Sequence, residues 1–230
     1  MHFTNLLPMA AFAGLALASP VKVRNANTTP APSAGSLLTK DVILKVAPKS
    51  ASCAGVTDFA EECATADEAV KFLPDALDKY NITSPGEIAG VLSLMALETG
   101  EFRFERNHFP KPGRPGQGTR NLQMPKYNLI YARSFPELKE KADDIAGCTT
   151  DANTLPDDKK NAILDLVLPD QYSWGSAAWF LATQCDAKTR EGLKEGTIRG
   201  YTLYMDCIGT ALDDDREKYW VAAKQALNVA

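Results

Sequence analysis

Apolar residues recur at intervals of three and four along most of this chain, and the stretches that carry this spacing are bounded by helix start and stop signals. Ile88, Val91, Leu92 and Met95 follow Ser84, Pro85 and Glu87, which stand where a cap, a first-turn proline and a capping-box carboxylate belong. Gly100 stands where that helix should end. Thr65 and Glu68 precede Ala69, Phe72 and Leu73 in the same way, and Ser134 with Glu137 predicts a third helix that Gly147 closes. Ala162, Ile163, Leu166 and Val167 make a further stripe, and residues 174–185, 197–207 and 214–227 keep helical spacing. Asp213, Asp214 and Asp215 sit at the start of the last segment, where negative charge complements the helix dipole and caps it. Alternation of period two is found at residues 101–105, where Phe102 and Phe104 interleave with Glu101, Arg103 and Glu105. That predicts one short strand with its three charged side chains on a common face. The expectation is a single, mainly helical domain with a small β element near Phe102.

The amino-terminal pattern is different. Residues 6–17 are largely apolar and lead to Ala16, Leu17 and Ala18, which reads as a secretory signal over residues 1–18. This run is too short to span a bilayer. Residues 19–36 are rich in Asn, Thr, Pro, Ala and Ser and read as a flexible leader or propeptide. The folded domain is expected over residues 37–230, soluble, secreted and monomeric.

Composition places the chain among ordinary globular proteins, since 45% hydrophobic residues can supply a core and 23% charged residues can solvate its surface. A formal net charge of -4 gives neither nucleic acid nor an anionic membrane a long-range attraction, so neither is expected as a partner. Positive charge is nevertheless gathered in Arg103, Arg106, Lys111, Arg114 and Arg120. Two readings stay open for this stretch, a local basic cleft and a solvated basic loop.

Five cysteines in a secreted chain predict two disulfides and one unpaired thiol. Cys53 with Cys63 and Cys185 with Cys207 is the suggested pairing, leaving Cys148. No metal site or cofactor is expected, because one histidine, His108, follows the signal and no cysteine pair has zinc-ligand spacing. Asn81 and Asn27 lie in glycosylation sequons.

The candidate chemistry centres on Glu98. It follows Val91 by seven residues, Leu94 by four and Met95 by three, so it shares their apolar face on the last turn before Gly100. Desolvation there raises a carboxyl pKa, which suits a proton donor, although the position also fits a solvated glutamate. Gln117, Asn121, Gln123 and Tyr127 follow soon after it and offer amide and hydroxyl groups suited to binding a sugar, although Tyr127 also fits packing on a helix face shared with Tyr131. Tyr131, Trp174 and Trp179 are expected to pack in the core.

These residues carry a resemblance. Glu98, Thr99 and Gly100 with Phe102, Arg103, Glu105 and Asn107 resemble the active-site segment of family 19 chitinases and related phage endolysins, within the lysozyme-like superfamily. Gly116 to Asn121 is similar to that group's glycine-bracketed substrate loop, and Trp174, Ala177, Trp179 and Phe180 to its tryptophan and alanine helix. A looser similarity to lytic transglycosylases and goose-type lysozymes runs through Glu98, Gln123, Met124 and Pro125. One departure is Leu97, where a histidine often precedes the family's glutamate. The resemblance implies a lysozyme-like helical domain that cleaves β-1,4-linked N-acetylhexosamine polymers, chitin or peptidoglycan, with Glu98 as general acid. For the second carboxylate the resemblance favours Glu105, and the strand reading adds Glu101 as a competitor. Inversion expects the two carboxyls about 6.5–9.5 Å apart, direct attack about 5–5.5 Å. Lytic transglycosylation, and a non-catalytic wall-binding or effector protein that keeps the cleft, stand as alternatives.

Overall fold

The computed structural model describes residues 33–230, so the signal and most of the leader assigned above, with Asn27, lie outside the described residues. The fold is mainly helical. In chain order the helices are α1 (Ala34–Leu37), α2 (Lys40–Val46), α3 (Ala66–Lys79), α4 (Pro85–Glu98), α5 (Pro125–Arg133) and α6 (Pro136–Ala146). They continue as α7 (Asp157–Val167), α8 (Asp170–Ser173), α9 (Ser176–Thr183), α10 (Ala187–Lys194), α11 (Ile198–Ile208) and α12 (Asp214–Ala226). No helix among the described residues is long and apolar enough to cross a membrane.

The helix signals act with two differences from the sequence expectation. Thr65 and Glu68 form the reciprocal capping box of α3, and Asp213 accepts the Arg216 amide at the start of α12. Ser84 accepts the Glu87 amide at the start of α4, but the Glu87 carboxylate takes the Ser84 hydroxyl at 2.9 Å and Arg190 Nε at 2.7 Å. Glu87 is 1% exposed, and a buried carboxylate needs such a cation more than the cap amide needs it. Ser134 does not open α6: its hydroxyl donates to Tyr131 O, closing α5, and Pro136 begins the next helix.

The expected strand is absent. Gly100, Glu101 and Phe102 all have positive φ, so the chain makes a left-handed turn where a strand would need extended backbone. Among the described residues the β content is two isolated bridges, Arg106 with Gly118 and Gly118 with Gln123. The Phe and charge alternation arises because Phe102 is buried in the core and Glu101 is buried on other partners, not because both flank a sheet.

Two apolar cores organise the molecule. The larger gathers Leu73, Leu77, Ile88, Val91, Met95, Tyr201 and Trp220, with α4 at its centre. Residues 86–96 of α4 are buried without a break, as expected for a helix apolar on every side. The smaller core joins α5, α6 and α7 through Leu129, Tyr131, Leu138, Ala142, Ile163 and Val167. Helix α9 divides its side chains between them: Ala177, Ala178 and Leu181 enter the first core, Trp179 and Phe180 the second. Disulfides join Cys53 to Cys63 and Cys185 to Cys207, and Cys148 is free and exposed.

Candidate functional site

A cleft of about 380 Å³ opens where α4, the loop at residues 107–124 and the start of α12 converge. Leu94 and Glu98 line it from α4, Tyr127 from α5, Phe180 from α9 and Arg216 from α12. The left-handed turn after α4 decides which glutamate enters. Thr99 holds it, donating its hydroxyl to Met95 O at 2.6 Å and accepting the Phe102 amide at 2.8 Å. Glu98, one residue earlier, faces the cleft.

Glu98 Oε1 accepts a hydrogen bond from an Arg216 terminal nitrogen at 3.1 Å, while a second nitrogen of Arg216 binds Asp213. The Glu98 side chain is 22% exposed. Burial pushes its carboxyl above the usual glutamate range, and this outweighs the opposing charge and hydrogen bond of Arg216; the Asp213 charge pushes the same way as burial. The raised value follows from the apolar face read in the sequence. Arg216 was not foreseen, because 118 residues separate it from Glu98 and no local pattern links them.

Gln117, Asn121, Gln123 and Tyr127, the expected binding residues, all line this cleft with Glu98. The three amides are held by hydrogen bonds within the loop and to α5 and α9. Asn121 Nδ2 donates to Gln123 Oε1 at 3.4 Å, Gln123 Nε2 to Asn128 Oδ1 at 2.8 Å, and Asn128 Nδ2 to Gly116 O at 2.9 Å. Asn121 Oδ1 accepts the hydroxyls of Thr119 and Ser176 at 2.8 and 2.9 Å. Gln117 Nε2 donates to Leu122 O at 2.9 Å, while Gln117 Oε1 has no partner. Tyr127 packs edge-on to Phe180. Phe109 and Met124 are the exposed apolar side chains of the lining, at 55% and 37%.

The other two carboxylates lie elsewhere. Glu101 is 4% exposed and accepts the Lys49 amide at 2.6 Å and the Tyr219 hydroxyl at 2.9 Å, so it ties three parts of the fold together. Glu105 lines a separate cavity of about 420 Å³ with Glu68, Asp165 and Asp170. Its carboxylate lies 3.5 Å from Arg120, and its pKa is pushed up to about 7, first by burial and then by Glu62 and Asp170 against the pull of Arg120 and Arg106. The structure therefore brings neither Glu101 nor Glu105 into the cleft that holds Glu98. Among the described residues, no group of three or more His, Cys, Asp or Glu side chains is placed to hold a metal ion. His108 is stacked on Phe59 at 3.4 Å and lies 2.8 Å from Glu62.

Comparison with known proteins adds one relative. Over 163 residues, 70% of this chain, the sequence is 42% identical to a bifunctional dioxygenase (DOX)-epoxy alcohol synthase (EAS) of Fusarium oxysporum (strain Fo5176). The matched segment covers 12% of that protein's length. No protein family matches the chain, and no solved structure does.

The relative overturns the expectation of a cell-wall-degrading glycoside hydrolase akin to family 19 chitinases, endolysins, lytic transglycosylases or goose-type lysozymes. The relative is named for oxidative chemistry. Packing accounts for much of what carried the resemblance. A Cβ at Gly116 would stand 2.6 Å from Lys160 Cβ, and one at Gly118 would stand 2.6 Å from Glu105 O, so both glycines are demanded by close approach. Arg120 donates to the carbonyls of Glu62, Phe102 and Phe104, and Trp174 packs edge-on to Phe102. These motif residues hold the turn and loop together.

Proposed function

We propose that this domain binds a segment of polysaccharide in the cleft beside Glu98, through the ligand's hydroxyl and acetamido groups. The observation that carries the reading is the row of side-chain amides at Gln117, Asn121 and Gln123 that lines the cleft beside Glu98 and is held in place by hydrogen bonds. Glu98, held by Arg216 at one oxygen, presents its carboxyl group to a ligand hydroxyl. Phe109 and Met124 give the apolar faces of pyranose rings something to lie on. The test is titration calorimetry of the purified protein with soluble N-acetylhexosamine oligomers. Binding is expected, weakened about tenfold in Gln117→Met, the size of one lost hydrogen bond to a desolvated partner. Absence of heat with every polysaccharide tried would sink the reading.

A second reading rests on the Fusarium relative: the domain is a module that works beside an oxygenase and holds an oxygenated product, such as an epoxy alcohol, in the same cleft. Binding of an epoxy alcohol in place of any saccharide is the outcome that favours it.

A further inference from the structure

Between Glu105 and Glu137 the chain carries Arg106, Lys111, Arg114, Arg120, Lys126 and Arg133 and no Asp or Glu, although the whole protein has a net charge of -4. Nine of the sixteen residues that line the Glu98 cleft come from this acid-free segment. Three of its cations already face a carboxyl group: Arg106 that of Asp165, Arg120 that of Glu105 and Arg133 that of Asp143. Lys111, Arg114 and Lys126 make no ion pair among the described residues. Of these, Arg114 lines the cleft itself. Its backbone amide donates to Asn107 Oδ1 at 3.1 Å, which fixes the loop that presents it.

The facing wall does not cancel this charge. There Arg216 spans Glu98 and Asp213, so the carboxylates of that wall already have a cation between them. Arg114 is exposed at the cleft with no carboxylate of its own, so an anionic ligand gains an ion pair there that a neutral one does not. We infer that the ligand of this cleft carries a carboxylate and that Arg114 is the residue that reads it, a guanidinium being suited to paired contact with two carboxylate oxygens. On the polysaccharide reading, on which this inference rests for its main ligand, the polymer is an acidic one that bears uronic or other carboxylated sugars. A fatty acid offers the same group on an apolar chain, so the source must be separated by experiment.

The experiment titrates the full chain with three probes: a neutral N-acetylhexosamine oligomer, a uronic acid oligomer of equal length and an unsaturated fatty acid below its micelle concentration. Each is measured at about 0.02 M and about 0.5 M salt, where the screening length falls from about 20 Å to about 4 Å. The uronate oligomer is expected to bind about tenfold more tightly than the neutral one at low salt, the usual worth of a charge-assisted hydrogen bond. This preference is expected to shrink at high salt, to vanish in Arg114→Gln, to return in part in Arg114→Lys, and to survive Lys141→Gln on α6, a change outside the cleft. Equal binding of the two oligomers, or a preference that persists in Arg114→Gln, overturns the inference and leaves the polysaccharide reading standing. Binding of the fatty acid alone, lost in Arg114→Gln, overturns the polysaccharide reading and keeps the carboxylate assignment. Binding of none of the probes overturns both.

Discussion

Glu98 and Glu105 are seven residues apart, both have raised pKa values, and they answer to different surroundings. Glu98 shares its cleft with one arginine brought from the far end of the chain, whereas Glu105 shares its cavity with several carboxylates that disfavour a further negative charge. The Glu105 shift has a consequence for stability. Its folded pKa, about 7, lies above the ordinary 4.5, so the native state holds a proton that the unfolded chain releases between those values. The stabilisation is complete below the lower value and is lost as pH rises through the upper one. Melting temperatures taken from about pH 4 to pH 8 should therefore fall in the wild type relative to Glu105→Gln across this window and run parallel above it. A constant gap between the two would show that Glu105 does not titrate there. The sequence placed Glu98 correctly at the end of an apolar helix, because cap, spacing and glycine all act within a few residues. It misplaced Glu101, since the partners that bury that carboxylate are Lys49 and Tyr219, and a five-residue alternation carries no trace of either.

Among the elements, helices were readable from local signals and their crossings were not. Helices α10 and α11 meet at Gly192 and Gly200, where a Cβ added to Gly200 would stand 1.9 Å from Gly192 O. Neither glycine ends a helix or occupies a left-handed turn, so no local sequence signal marks their close approach. The contact matters to the cleft because α11 runs directly into Ile208, Gly209 and Thr210, which form part of its lining. Gly200→Ala should destabilise the protein by about 2 kcal/mol or more, as overpacked interiors do. Gly35→Ala, where the added carbon meets its nearest neighbour at an ordinary 3.6 Å, should not lower stability. Denaturant unfolding of the two variants decides between this and a helix pair loose enough to part.

At the scale of the whole molecule, the two disulfides differ in the length of chain they close, 10 residues for Cys53–Cys63 and 22 for Cys185–Cys207. On the chain-entropy account each contributes about 3 kcal/mol, with the longer loop contributing more. Removing Cys185–Cys207 by paired serine substitutions should cost more than removing Cys53–Cys63, as read by urea unfolding, and the reverse order would point to enthalpic causes. The acid-free wall of the cleft bears on time as well as on affinity. A molecule whose net charge is negative but whose cleft mouth is positive presents an incoming anion with repulsion on most approaches and attraction on one. Encounters are then filtered by orientation before any contact forms, so that added salt slows capture of an anion while leaving its residence time nearly unchanged.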